Sequence, residues 1–255
     1  MAQRFVNTWL VATKEWQLLA ASPLLYLLSG VFVALCGFFF ATRLVLYTEY
    51  AIGQNIVANF WFSFLAGAPY SVSTVLVLVV PLLTMRAFAE ERRLGTLELL
   101  LTYPIRDSEL LWGKFMGLLV VGLGLVLIVG GYAAMLSLYV PIPWPAVLVS
   151  MAGLALLVAC FTACGLFFSS LTESQLSAAL ATLAVLVGFW LLTWNEAAVR
   201  ENWLGVVREF SAFDHFEPMA RGLLTLEDVV YFLGATGLFQ FLTARCLAAR
   251  AWRGG

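Results

Sequence analysis

The chain has 255 residues, of which 62% are hydrophobic and 11% charged, with a formal net charge of -1 and a mean hydropathy of +0.94. Soluble domains carry about 25% charged residues, so this composition excludes an ordinary soluble enzyme, and no nucleic-acid partner is expected. The apolar residues come in long runs: "LLYLLSGVFVALCGFFFA" (24–41) and "FMGLLVVGLGLVLIVGGYAAMLSLYV" (115–140) hold no charge, and about 18 such residues suffice to cross a bilayer as a helix.

From the N-terminus, Phe5, Trp9, Ala12, Trp16 and Leu19 recur at helical spacing, while Arg4, Asn7, Lys14 and Gln17 fill much of the other side. That pattern predicts an amphipathic helix over 5–20, lying at the membrane interface with its Trp rings at headgroup level; the alternative is a solvent-exposed tail. Ser22-Pro23 breaks it before the first span. Six spans are predicted, near 24–42, 66–85, 115–138, 145–169, 176–194 and 229–247. The runs lack β-barrel alternation, so the expected fold is an all-α integral membrane protein with a single transmembrane domain over 1–255. The first run is too extended, and begins after too long a mixed segment, to read as a cleaved signal peptide.

Between spans two and three the composition inverts. Residues 85–114, "MRAFAEERRLGTLELLLTYPIRDSELLWGK", carry five basic and five acidic side chains around "LELLL". Pro81 is placed to kink the end of span two, whose helix should run on through "RAFAEERR". Glu90 and Glu91 stand too close to Arg92 and Arg93 for i,i+4 pairing, so helix stability is not their evident purpose. Gly95 permits a sharp bend, Thr96 can cap a short helix through "TLELLL", Pro104 ends it, and Asp107 can cap the helix leading to span three. The resulting short helix carries Leu97, Leu100 and Leu101 on adjacent turns. Two readings fit: a charged loop whose leucines dip back into the membrane, or a docking helix for a soluble partner with an apolar groove.

Further along, Gly113 and Gly117 form a GxxxG at the very start of span three, a weak signal there. Ala152, Ala155, Ala159 and Ala163 in span four, and Ser177, Ala181, Ala184 and Gly188 in span five, make small-residue stripes that let backbones approach, within the chain or between subunits. No Asp, Glu, Lys or Arg lies centrally in a span, which argues against ion coupling. The remaining polar residues, such as Ser71, Ser73, Thr74, Thr182, Thr236 and Gln240, suit a lipid-like or otherwise amphipathic cargo, or a polymer, better than a small inorganic ion. Cys36, Cys160, Cys164 and Cys246 read as buried free thiols rather than a metal site. His215, the one histidine, sits in "FDHFEP", where a structural or merely solvated side chain is expected over a metal site or a pH switch.

Orientation follows from the cations. Of the 14 Lys and Arg, ten (Arg4, Lys14, Arg86, Arg92, Arg93, Arg106, Lys114, Arg245, Arg250 and Arg253) fall on the side of the termini. Four (Arg43, Arg200, Arg208 and Arg221) fall on the other. Both termini and the polar island are therefore expected in the cytoplasm. No P-loop is present: the one Gly-Lys pair, Gly113-Lys114, is followed by Phe115, and Ser108 stands where the first glycine belongs. The chain is expected to be no enzyme and to bind no cofactor itself.

The island "MRAFAEERRLGTLELLLTYPIRDSELLWGKF" resembles the signature of ABC-2 type permeases, the membrane subunits of ATP-binding-cassette transporters, and more narrowly the gliding-motility-type subfamily. "ATKEWQLLAASPLLYLLSGVF" (12–32), "GLFFSSLTESQLSAAL" (165–180) and "FDHFEPMARGLLTLEDVVYFL" (213–233) are similar to the family in the same order. The resemblance implies a coupling helix within 90–104 that docks on a cytoplasmic ATPase, with Glu90, Glu91, Arg92, Arg93, Gly95, Thr96, Leu97, Glu98, Leu100 and Leu101 as coupling residues. It implies that 5–20 is a connecting helix, and that 195–228 holds short re-entrant helices. The partners it implies are an ABC ATPase dimer carrying ATP and Mg, a second permease subunit (the same chain or a paralogue), and room for an outer partner protein, in a bacterial cytoplasmic membrane. Export and a non-transporting complex that transmits ATPase-driven motion are both open at this point.

Overall fold

The computed structural model describes residues 2–50, 56–67, 69–95, 107–194 and 211–251. Among them the regular structure is entirely helical: α1 (Ala2–Ala21), α2 (Pro23–Tyr50), α3 (Ile56–Ala66), α4 (Val72–Thr84), α5 (Arg86–Arg93), α6 (Asp107–Ser137), α7 (Trp144–Leu171), α8 (Gln175–Trp194), α9 (Ala212–Ala220) and α10 (Leu226–Ala251). Local chemistry sets the boundaries. Ser22 separates α1 from α2, its Oγ accepting from Leu24 N at 3.3 Å, and Pro23 opens α2 where a missing N–H costs nothing. Ser174 Oγ accepts from Ser177 N at 3.4 Å to start α8. Thr225 starts α10, accepting from Asp228 N at 3.3 Å and donating to Asp228 Oδ2.

Among the described residues, five helical stretches are long and apolar enough to cross a membrane: Pro23–Leu46, Val72–Arg93, Asp107–Ser137, Trp144–Leu171 and Leu226–Ala249. The sixth expected span coincides with α8, whose apolar part, Gln175–Leu191, is shorter. The span expected at 66–85 starts later. Ala66 closes α3, Ser71 stands before α4, and the helix begins at Val72. Helix α3 falls between the expected spans at 24–42 and 66–85, where no element is expected; it is a short helix with Phe60, Trp61, Phe64 and Leu65 buried.

At the centre stands α7, in contact with α4, α5, α6, α8, α9 and α10. Two glycines explain its close packing. A Cβ at Gly165 would lie 2.0 Å from Thr84 Oγ1, and one at Gly153 would lie 2.7 Å from Met219 Cβ. The alanine stripe of span four plays a smaller part than expected, since Ala152 is exposed and only Ala163 is fully buried. The main core runs through α2, α3, α4, α6, α7 and α9, around Phe32, Phe64, Leu76, Leu154, Phe161 and Phe216. A second, smaller core joins Val11, Phe88, Leu110, Phe115, Leu166 and Leu247 at one end of the bundle. The periphery carries large exposed apolar side chains, among them Tyr26, Leu27, Phe38, Leu127, Leu148 and Leu238. Such a belt suits lipid rather than water.

At the opposite end, α3 and α9 pack together. His215 Nδ1 meets Asp228 Oδ1 at 2.8 Å and its ring stacks on Tyr231 at 4.0 Å, fastening α9 to α10. This is the structural role expected of the histidine. Arg43 donates to Gly67 O at 3.0 Å, and Arg221 lies over the Phe62 ring. The four cysteines are free, with Cys36, Cys160 and Cys164 buried, and the described residues contain no group of three or more potential metal ligands.

Candidate functional site

The polar island begins as a continuation of α4. Pro81 lies inside α4, and the chain turns at Met85 before resuming as α5. Ser169, near the end of α7, holds that junction. Its hydroxyl donates to Met85 O at 3.0 Å and accepts from Phe88 N at 3.0 Å and Ala89 N at 3.1 Å. One side chain thus satisfies a carbonyl before α5 and two of its first amides, groups that a helix start leaves without intrahelical partners. Farther along α5, Arg92 donates to Ser170 O at 3.1 Å and pairs with Glu173 Oε1 at 3.2 Å.

The other side of α5 is fixed by a buried charge. Lys114, on α6, has a side chain only 1% exposed. Its Nζ lies 2.7 Å from Glu15 Oε1 on α1 and 2.8 Å from Glu91 Oε1 on α5, and 5.2 Å from the Phe88 ring centroid. Three helices therefore share one ammonium. A buried pair of this kind is a weak source of net stability, but removing one member leaves an uncompensated charge; its effect is to fix how the helices are registered.

The backbone lets α1 come that close. A Cβ on Gly113 would stand 2.5 Å from Val11 Cβ and 3.0 Å from Thr8 O. One on Gly117 would stand 2.8 Å from Glu15 Cβ and 3.1 Å from Ala12 O. The GxxxG that looked weak at the start of span three is the crossing of α1 on α6. Trp9 and Trp16, at 70% and 42% exposure, flank that contact and, with Trp112 and Met116 of α6, line an open groove beside it.

Past α5, Leu94 N bonds Glu90 O at 3.0 Å and Gly95 N bonds Arg92 O at 3.0 Å, with Gly95 at φ +68°. This left-handed C-terminal turn is the bend expected there, and glycine takes it without penalty. Of the expected coupling residues, Glu91 and Arg92 are engaged with α6 and α7, Glu90 is half-buried, and Arg93 and Gly95 are exposed. Thr96, Leu97, Glu98, Leu100 and Leu101 lie outside the described residues, as does 195–210. In α8, Ser177 and Ala184 are exposed, Ala181 and Gly188 are half-buried, and a Cβ at Gly188 would meet nothing within 4 Å.

Sequence reasoning missed Glu15, Lys114 and Ser169. In the sequence Lys114 stands as a cation of the cytoplasmic side and as half of a Gly-Lys pair outside any P-loop. The usable signal was a Lys one residue from a glycine that admits a second helix.

An all-helical chain with several membrane-length helices, a lipid-facing belt and a charged extension held at one end is a multi-pass membrane protein. A family model for ABC-2 family transporter proteins matches residues 9–205, and the chain belongs to that family. Among curated proteins none matches. Membership makes the chain a membrane subunit of an ATP-binding-cassette transporter, without an ATPase motif of its own and serving with an ABC ATPase.

Proposed function

We propose that this chain is the permease subunit of an ATP-binding-cassette exporter and that α5 is the stalk presenting its coupling helix, within 90–104, to a cytoplasmic ATPase. The observation that carries this reading is the three-sided anchorage of α5: to α7 through Ser169 and Arg92, and to α6 and α1 through Lys114. A segment that receives force from a soluble motor must be tied to several spans, or the motion would be lost in the loop. The left-handed turn at Gly95 ends α5 at the start of that segment. In this reading α8 is the sixth span, α9 belongs to the re-entrant element before α10, and both termini face the cytoplasm of a bacterial cell. ATP and Mg sit on the partner ATPase. The four similar segments favour the gliding-motility-type subfamily. Two permease subunits pair around the pathway, and the absence of central charge favours an amphipathic or polymeric cargo.

The test is co-purification of the ATPase with the full-length permease, together with its stimulated hydrolysis. Each leucine buried in a groove contributes roughly 1.5–3 kcal/mol, so Leu100→Asp should release the ATPase while the membrane subunit stays folded. Full binding and full stimulation by Leu100→Asp would overturn the coupling assignment.

A further inference from the structure

A cavity of about 590 Å³ opens between α1, α2, α4, α5 and α6. Part of its wall is charged, with Lys14, Glu15, Arg86, Glu90, Glu91 and Lys114; another part is apolar, with Leu18, Leu19, Leu24, Leu25, Leu83 and Leu118. The charges divide into two sets. Lys114, Glu15 and Glu91 bind one another. Among the described residues, Arg86 Nε is buried without a hydrogen-bond partner, and neither Lys14 nor Glu90 forms an ion pair. A buried guanidinium nitrogen left this way is costly, and a ligand that accepts from it recovers that cost.

We propose that this cavity holds one phospholipid with a zwitterionic, primary-ammonium headgroup. The phosphate lies at Arg86 and Lys14, the ammonium at Glu90, and an acyl chain runs along the leucines. The three cations and three carboxylates of the wall balance, so the site favours a headgroup that carries both signs over one that carries only negative charge. A trimethylammonium headgroup has no N–H to donate to Glu90, and among the described residues no aromatic ring lines the cavity to bind it by a cation–π contact. The leucine wall, between the amphipathic α1 and the membrane helix α2, selects a lipid over a polar peptide. Only the leaflet, the cytoplasmic one, rests on the orientation proposed above.

The test uses the purified full-length permease alone in mild detergent, with native mass spectrometry against equimolar phosphatidylethanolamine, phosphatidylcholine and phosphatidylglycerol of matched acyl chains. Phosphatidylethanolamine should be retained about tenfold over the other two, the scale of one charge-assisted hydrogen bond. Glu90→Gln should bring it down to the phosphatidylcholine level with an unchanged gel-filtration profile, and Arg86→Gln should lower retention of all three. Equal retention by the wild type, or an undiminished preference in Glu90→Gln, would overturn the proposal. So would a Leu18→Cys variant that cross-links to the ATPase in the assembled complex, since a protein segment would then fill the cavity. Because lipid retention is measured on the permease without its ATPase, a failed coupling assignment leaves that result readable on its own.

Discussion

At the scale of single residues, Lys114 is the side chain on which the site turns. Its ammonium is almost fully buried and shared by carboxylates from two other helices. Breaking one partner of a buried pair costs about 3–5 kcal/mol, whereas replacing the whole set by neutral groups is often nearly neutral. Lys114→Met alone should therefore lower the stability of the purified permease by about that amount, because Glu15 and Glu91 stay buried without their counter-ion. The triple variant Lys114→Met, Glu15→Gln, Glu91→Gln should recover most of the loss, as read from thermal unfolding in detergent. If the triple variant is less stable than Lys114→Met alone, the three residues do not act as one unit. The polar residues of the spans show the same economy. Ser71 Oγ bonds Ser73 and Thr74 at 3.0 Å each, and Thr182 Oγ1 donates to Ala178 O at 2.8 Å, so these hydroxyls spend their hydrogen bonds within their own helices. Gln240 differs, with both amide atoms buried and unpartnered among the described residues.

Among the elements, α1 and α5 carry the site, and both depend on close helix crossings. The crossing of α1 on α6 leaves no room for side chains at Gly113 and Gly117. Inserting methylenes into such a contact costs typically about 1–3 kcal/mol. Gly113→Leu should lift α1 off α6, lower stability by about that amount, and increase protease access to the first 20 residues. Gly124→Leu on the same helix, where an added Cβ meets nothing within 4 Å, should do neither. Equal effects of the two substitutions would mean that the crossing is not held by these glycines. The positions of α1, α2, α6, α7, α8 and α10 were legible in the sequence because each is a long periodic or apolar run, and α2, α7, α8 and α10 have a Ser, Pro or Thr at their start. The bend at Gly95 was legible from the glycine itself. The helix α3 was not, since its short aromatic run falls between the two runs long enough to span. The anchorage of α5 was not legible either. Ser169 lies 84 residues from Met85, and nothing local marks a serine at the end of an apolar helix as the cap of another.

Across the whole molecule, the question is what the exposed small-residue face of α8 is for. Inside the protomer the close approaches use glycines of α6 and α7, each with a neighbour closer than 3 Å to an added Cβ, as at Gly113, Gly122, Gly153 and Gly165. Gly188 has no such neighbour, and Ala184 one turn before it and Ser177 farther along the same stripe are exposed. Facing lipid, a small residue offers less contact than a leucine, while facing another helix it allows backbones to touch. The flanking Leu176, Leu180 and Leu191, each more than half exposed, would rim such a contact. These features fit a face kept small for a second subunit, and they separate two effects that usually confound each other. Gly188→Leu has open space within its own chain, so the protomer should keep its thermal stability. If the second permease subunit packs on α8, the same change should lower the fraction of dimer seen by light scattering in mild detergent or in nanodiscs. Leu191→Ala, at the rim, should have the smaller effect. A dimer fraction unchanged by Gly188→Leu, with the protomer equally stable, would place the subunit contact on another face of the bundle.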